Sequence, residues 1–248
     1  MGFKYLLILA LILLNNQFIL SYDDSDNLLL KEIRSPNKKV HYILIISNMN
    51  TGPSKENIQS KKEMLYDTLN DSKINCEINV VSLDAIKQFT ELSLSFYDCI
   101  IYDLLDYGCG IQNPTGVIIN YIKNGGNILV THDHVYFGLT DILGLKLKGP
   151  PSNFYKEAIN TSFGHEIWKS YYHLEDLKVM KVNTHNVCII SNEETKQLMH
   201  SNDIYNDLYL SARNLGNGKA VFWNAGHSPD LTEDEKKLFL NIMAWILK

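Results

Sequence analysis

Between Asn113 and His134 the chain reads NPTGVIINYIKNGGNILVTHDH, and no other stretch narrows the choice of fold as far. Asn113 can cap a helix, and Pro114 suits the first turn, where no N–H is needed. Val117, Ile118, Tyr121 and Ile122 recur at helical spacing within Thr115–Lys123. Asn124-Gly125-Gly126 can stop that helix with a left-handed residue. Ile128-Leu129-Val130 then reads as a short buried strand, with Thr131-His132-Asp133-His134 at its carboxyl end. Ligands of open α/β sheets bind outside the carboxyl ends of the strands. The stretch therefore predicts both an architecture and the place of a site.

The flanking segments extend the pattern. Val40–Ile46 is nearly all apolar, as a parallel strand covered on both faces is. The spacing predicts a helix over Lys55–Leu69, a strand over Glu77–Leu83, a short helix or turn over Asp84–Leu92 and a strand over Tyr97–Leu104. Strand–helix alternation over residues 40–131 argues for βαβ crossovers and a parallel sheet. Beyond it the sequence is less regular. Tyr136–Leu143 reads as a helix ended by Gly144, and Leu145–Tyr155 as a loop. Leu177–Val182 and Asn186–Ser191 alternate as antiparallel strands do, and Leu208–Arg213 with Lys219–Trp223 flank a glycine-containing hairpin connection. A last helix opens on Thr232 and Glu235 in capping-box spacing, with Leu238, Phe239, Ile242, Met243 and Trp245 on its apolar face. A chain of 248 residues suits one large domain, expected over residues 39–248 after a linker at 22–38.

Lys4, the apolar run Tyr5–Leu14 and Ser21 have the order of a secretory signal peptide over residues 1–21. A membrane anchor is the competing reading, but three amides at Asn15, Asn16 and Gln17 interrupt the run. The expected location is extracellular or in the secretory lumen, with no stable membrane span after removal of the signal. In that setting Cys76, Cys99, Cys109 and Cys188 would form an even set with three possible pairings. Cys99 lies inside an expected strand and reads better as a buried free thiol. Asn70 and Asn160 stand in glycosylation sequons. The net charge is −5 and no basic cluster occurs, which argues against a nucleic-acid partner.

GVIINYIKNGGNILVTHDH and GKAVFWNAGHSPDLTEDEKKLFLNIMAWIL together resemble the class I glutamine amidotransferase-like fold, in its trehalose-utilisation (ThuA-like) branch. The resemblance covers roughly residues 40–144 and 205–248. It implies an α/β, single-domain, three-layer, flavodoxin-like fold with a mainly parallel central sheet. Active members carry a nucleophilic cysteine at the turn after the fourth strand, and a histidine with an acid beyond a late strand. Here His132 stands about where the cysteine would be, while His227 and Asp230 match the histidine and the acid. A base without a thiolate cannot form a thioester. Cys109, in Gly108-Cys109-Gly110, falls where the family has a glycine-rich oxyanion segment.

These residues suggest two kinds of function. One is a non-glutaminase binding or interaction module for a small molecule or carbohydrate. Asp103, Asp133 and His134 would contact the ligand, and Tyr136, Phe137, Phe154, Tyr155, Trp168, Tyr171 and Tyr172 would form an aromatic wall. The other is a metal-assisted hydrolase or isomerase, with His132, His134 and His227 holding a divalent metal and Asp103 or Asp133 adding oxygen. The bland reading of each set is hydrogen bonding at strand ends and ordinary packing. His165 is a further candidate for the cleft, against an ordinary solvated loop histidine.

Overall fold

Ile43, Leu44, Ile45 and Ile46 are all fully buried, so helices must cover both faces of the strand they form, β1 (His41–Ser47). The computed structural model describes residues 39–47, 55–86, 88–103, 116–131, 139–147, 157–182, 189–191, 195–202, 206–225 and 231–248. After β1 come α1 (Lys55–Asn70), β2 (Cys76–Ser82), the short helices α2 (Leu83–Ile86) and α3 (Glu91–Leu94), and β3 (Cys99–Asp103). Then follow α4 (Gly116–Lys123), β4 (Ile128–Val130), α5 (Leu139–Leu143), β5 (Leu145–Leu147) and β6 (Glu157–Asn160). A 3-10 turn at Glu166–Lys169 precedes β7 (Val179–Lys181), β8 (Ile189–Ser191) and β9 (Lys196–Ser201). The hairpin β10 (Leu208–Leu215) and β11 (Gly218–Trp223) leads to the final helix, α6 (Glu233–Ile246).

The main sheet has the order β2-β1-β3-β4-β11-β10-β9-β6-β7. From β2 to β11 every pairing is parallel, and from β11 to β7 every pairing is antiparallel. The chain moves outward from β1 to β2, then back past β1 to β3. That reversal is a topological switch point at the β1/β3 boundary. The side chains divide into two layers of core. Ile45, Ile101, Leu129 and Val221 pack with Leu65 and Leu69 of α1 and with Leu238, Phe239 and Ile242 of α6. Leu44, Ile46, Ile100, Ile128 and Phe222 pack with Leu94 of α3, Ile118 and Ile122 of α4, and Leu139 and Leu143 of α5. The result is the expected three-layer α/β arrangement, with an antiparallel extension on one side of the parallel core.

Two local devices fix the register at the sheet's amino end. Gly125 ends α4 at φ +92°, in the left-handed region. A Cβ on Gly218 would fall 2.5 Å from the Gly126 carbonyl oxygen, so β11 starts directly against the α4–β4 turn. At the other end of the chain Thr232 and Glu235 close the expected capping box. The Thr232 hydroxyl accepts from the Glu235 N–H at 3.2 Å, and the Glu235 carboxylate accepts from the Thr232 N–H at 2.8 Å. Such a cap stabilises a helix start by about 1 kcal/mol.

The middle of the chain departs from the expected pattern. Leu145–Leu147, expected in a loop, pairs antiparallel with β8 in a separate two-stranded sheet. Glu157–Asn160 and Lys196–Ser201 are strands that the sequence pattern does not announce. In the first, polar Asn160 occupies an inward position; in the second, Leu198 and Met199 are consecutive and both buried, which breaks the alternation. The expected strand end at Leu83 is instead the first residue of α2.

Candidate site at the carboxyl edge of the sheet

The apolar strand cores end together. Ser82 of β2 stands beside Ser47 of β1, and Ser47 beside Asp103 of β3. Tyr102 and Phe222 both align with Val130, which brings Asp103, Thr131 and Trp223 level one residue further on. One row behind them lie Val80, Ile45, Ile101, Leu129 and Val221, all apolar. Side chains two apart in a strand share a face. The row Ser82–Ser47–Asp103–Thr131–Trp223 therefore lies on the α1/α6 face.

Ser47, Asp103, Thr131 and Trp223 are each 0% exposed. The Thr131 hydroxyl donates a hydrogen bond to the Asp103 side chain. The Ser82 hydroxyl accepts from the Ala85 N–H at 3.2 Å, at the start of α2. The Ser47 hydroxyl and the Trp223 indole N–H have no hydrogen-bond partner among the described residues. A buried polar group left unmet costs about 1–3 kcal/mol. The Trp223 ring is fixed by Phe239 of α6, stacked at 5.9 Å and 17°.

At the amino edge the Asp98 and Asn127 side chains are engaged. The Asp98 carboxylate accepts from Lys39 at 2.7 Å and from the Tyr42 N–H at 3.0 Å. The Asn127 amide donates to the Asp98 carbonyl at 2.8 Å and accepts from the Lys219 N–H at 2.9 Å. Ser47 and Trp223 thus lie at the edge where the fold class binds ligands, while at the amino edge the buried His41 Nδ1 stands 3.7 Å from the Asp98 carboxylate without a hydrogen bond.

The main chain ties the two exits of this edge together. The Ala225 N–H donates to the Thr131 carbonyl at 3.2 Å, and the Asn224 N–H to the Tyr209 carbonyl at 2.8 Å. His132, Asp133 and His134 follow Thr131 directly, and His227 and Asp230 follow Ala225, but these five residues lie outside the described residues. So do Cys109, Cys188, Tyr136, Phe137, Phe154 and Tyr155. Asp103 is the candidate ligand contact that the structure describes. Among the described residues no group of three metal-ligating side chains occurs.

Several expectations are corrected. His165 does not approach this edge. Its ring packs on Trp245, near the carboxyl end of α6, at 5.2 Å, and its Nδ1 accepts from the Ile167 N–H at 3.2 Å as a cap of the 3-10 turn. Because α6 runs back from the carboxyl edge, this end of the helix lies by the start of β11. There Lys219 donates to the Trp245 carbonyl at 2.6 Å. Burial holds the His165 imidazole down to about 4, with Lys196 adding to the effect. Trp168 and Tyr171 do not form a wall beside the site. Trp168 is fully buried and donates to the Ser162 carbonyl at 2.6 Å, and the Tyr171 hydroxyl accepts from the Lys73 N–H at 2.8 Å. Asn160 is 3% exposed, its carbonyl oxygen accepts from the Ser162 N–H and its amide nitrogen donates to the Leu177 carbonyl, so the folded chain has no room for a glycan there. Cys99 is a free thiol, and burial pushes it far up from its ordinary value.

Sequence reasoning picked out Asp103 but passed over Ser47, Thr131 and Trp223 as site residues. The signal was present. Ile46-Ser47, Tyr102-Asp103 and Val130-Thr131 each end an apolar run on a polar residue at the same phase of the strand.

No family model matches the chain, and no curated protein matches it in sequence. Solved structures do. A cytoplasmic protein of Salmonella typhimurium LT2 is 17% identical with a TM-score of 0.57, and the match covers 84% of this chain and all of that one. A ThuA-like protein of Bacteroides uniformis is 12% identical with a TM-score of 0.60, over 83% of this chain and 91% of that one. The glutaminase domain of Trypanosoma brucei CTPS, solved with bound acivicin, is 7% identical with a TM-score of 0.54, over 82% and 93%. The Salmonella protein is cytoplasmic, and that finding corrects the expected secreted or secretory-lumen location. At these identities the likeness is one of fold, and the chain has the ThuA-like, glutamine amidotransferase-like α/β fold.

Proposed function

We propose that the carboxyl edge of the parallel strands is a ligand-binding site for a small molecule or carbohydrate, in a protein without glutaminase chemistry. The hydrogen bond from Ala225 to Thr131 carries this reading, because it makes His132–His134 and His227–Asp230 continue from neighbouring points of one edge. The buried Asp103–Thr131 pair supplies a polar base beneath them. Loss of glutaminase chemistry follows from His132 at the elbow, where an acyl-transfer enzyme of this fold needs a thiolate. Backbone NMR of the whole protein tests the binding reading. Saturable shifts of the Thr131 and Ala225 amides with a saccharide or small polar metabolite support it, and shifts confined to the amino edge overturn it. Incubation with glutamine should release no ammonia.

A second reading draws on the same hydrogen bond. The same junction would let His132, His134 and His227 approach each other, and neutral imidazoles suit a divalent metal. Asp103 or Asp133 would add oxygen, and Asp230 would orient His227. A metal bound there would act as a Lewis acid for hydrolysis or isomerisation. Metal analysis of native protein and of His132→Ala/His227→Ala tests it. A stoichiometric metal lost in the double variant supports the metal site, and equal content in both proteins overturns it.

A further inference from the structure

We infer that the outer edge of β2 is a docking surface for a second copy of this chain, whose β2 pairs with it antiparallel about Asn79. β2 ends the main sheet, and among the described residues β1 is its one neighbouring strand. Main-chain bonding fixes which of its groups face outward. The His41 N–H donates to the Asn75 carbonyl at 2.9 Å, in a ladder that aligns His41 with Cys76 and Ser47 with Ser82. In such a parallel ladder Asn75, Glu77, Asn79 and Val81 turn their main chain towards β1, while Ile78 and Val80 turn theirs away. Among the described residues nothing pairs with the Ile78 and Val80 N–H and C=O groups on that side.

Sheets usually blunt such an edge. The far end of this sheet does so. β7 has only three residues, among them the exposed Lys181, and the Lys181 carbonyl accepts from the Thr232 hydroxyl at 3.1 Å. β2 has seven residues, CEINVVS, with no proline, no lysine and no break in register. Its Ile78 and Val80 side chains are half-buried apolar groups on the α1 side.

The strand's own sequence selects the occupant. Pairing about Asn79 sets Ile78 against Val80 of the second copy, and Val80 against Ile78 of the second copy. Each of these pairs exchanges both N–H···O bonds, in phase with the outward groups, and each covers apolar side chain with apolar side chain. Glu77, the one charged residue of the strand, then faces Val81 of the second copy. The two Glu77 carboxylates stand about 13 Å apart along the strands, so no like charges meet. Asn79 meets its own counterpart on the two-fold axis, with its amide already donated to the Tyr97 hydroxyl at 3.1 Å. The contact is isologous and closed, so it consumes both open edges.

Sedimentation equilibrium of the whole protein should give twice the chain mass. Val80→Pro removes an outward N–H and leaves the β1 ladder untouched. It should weaken self-association by about 10-fold or more, with an unchanged circular dichroism spectrum. If that variant does not fold, a crosslink decides. Asn79→Cys, with Cys76, Cys109 and Cys188 changed to Ser, sets two thiols opposite each other at a Cα separation of about 4.5 Å, within disulfide reach. Mild oxidation should turn it into a disulfide-linked dimer on a denaturing gel, while Glu77→Cys in the same background should run as a single chain. A monomer in sedimentation overturns the proposal. So does a dimer that a folded Val80→Pro leaves intact, or a Glu77→Cys protein that crosslinks as readily as Asn79→Cys.

Discussion

Ala225 and Thr131, 94 residues apart in sequence, are joined main chain to main chain by a 3.2 Å hydrogen bond. The bond extends the β4–β11 pairing one step past the last ladder residues, Val130 and Phe222. Its effect is geometric. The chain leaves β4 and β11 from neighbouring points of the carboxyl edge, beside the buried Asp103. Everything proposed for this edge depends on that adjacency.

Thr131→Val keeps the side-chain shape and removes the hydroxyl that donates to Asp103. The buried carboxylate then loses a charge-assisted donor. Hydrogen bonds to charged groups contribute about 1.5–3 kcal/mol, so urea unfolding should show a loss of that order. The denaturant slope should not change, since the surface exposed on unfolding is the same. Thr131→Ser should retain most of the stability.

The glycines rank themselves by what a methyl group would meet. Of Gly218, Gly216 and Gly164, Gly218→Ala should be the costliest, because its Cβ would strike the Gly126 and Gly125 carbonyl oxygens at 2.5 and 2.7 Å, and backbone cannot swing aside. A loss of about 1–3 kcal/mol or more is expected. Gly216→Ala meets nothing within 4 Å, but its φ of +56° makes a side chain cost about 1–2 kcal/mol. Gly164→Ala has open space and should be nearly silent. Melting temperatures in that order, with Gly218→Ala lowest, would bear this out.

How far the sequence revealed this molecule depended on which force set each segment. β1 and β3 were legible because both faces are covered, which demands an unbroken apolar run such as Ile43–Ile46. α6 was legible because capping and a helical apolar stripe both appear in it. β6 and β9 were not, because contacts from elsewhere decide them. Asn160 points inward to hold the turn at Ser162, and Thr161 donates to Leu198 of β9 at 3.2 Å. The helical face of α6 likewise conceals Asn241, whose amide oxygen accepts from the Tyr171 and Tyr172 N–H groups at 3.1 and 2.6 Å. For the candidate site, residue types pointed to the carboxyl edge of the strands. The row itself depended on the register of strands distant in sequence, which no local pattern encodes.

His165 makes stability depend on pH in a definite direction. Its folded value is lowered to about 4 from 6.5, chiefly by burial. Between those values the unfolded chain binds the proton and the folded chain does not, so stability rises with pH. The contribution is complete above about 6.5 and is lost as pH falls towards 4. His41 is also lowered by burial and titrates in the same direction, so native protein alone cannot separate the two. His165→Asn keeps an acceptor for the Ile167 N–H and removes the titration. Melting curves across this range should therefore be flatter for the variant. Parallel curves for the two proteins would show that His165 does not carry the effect.

The adjacency of His132 and His227 can be tested by covalent chemistry without knowing a ligand. His132 is one residue beyond Thr131, and His227 two beyond Ala225. Three Cα steps of about 3.8 Å and one inter-strand step of about 4.8 Å cap their separation at roughly 16 Å. Any folding back over the edge shortens it. His132→Cys/His227→Cys, with Cys76, Cys109 and Cys188 changed to Ser, leaves the two new thiols and the buried, inert Cys99. A short bifunctional maleimide should then link positions 132 and 227 within one chain, read as a single crosslinked peptide by mass spectrometry. His132→Cys/His165→Cys is the control, because His165 sits by Trp245 and the start of β11, at the opposite edge. Linkage of 132 to 227 but not to 165 is the expected outcome. Linkage of neither pair would separate the two histidines, and the metal reading would fall with them.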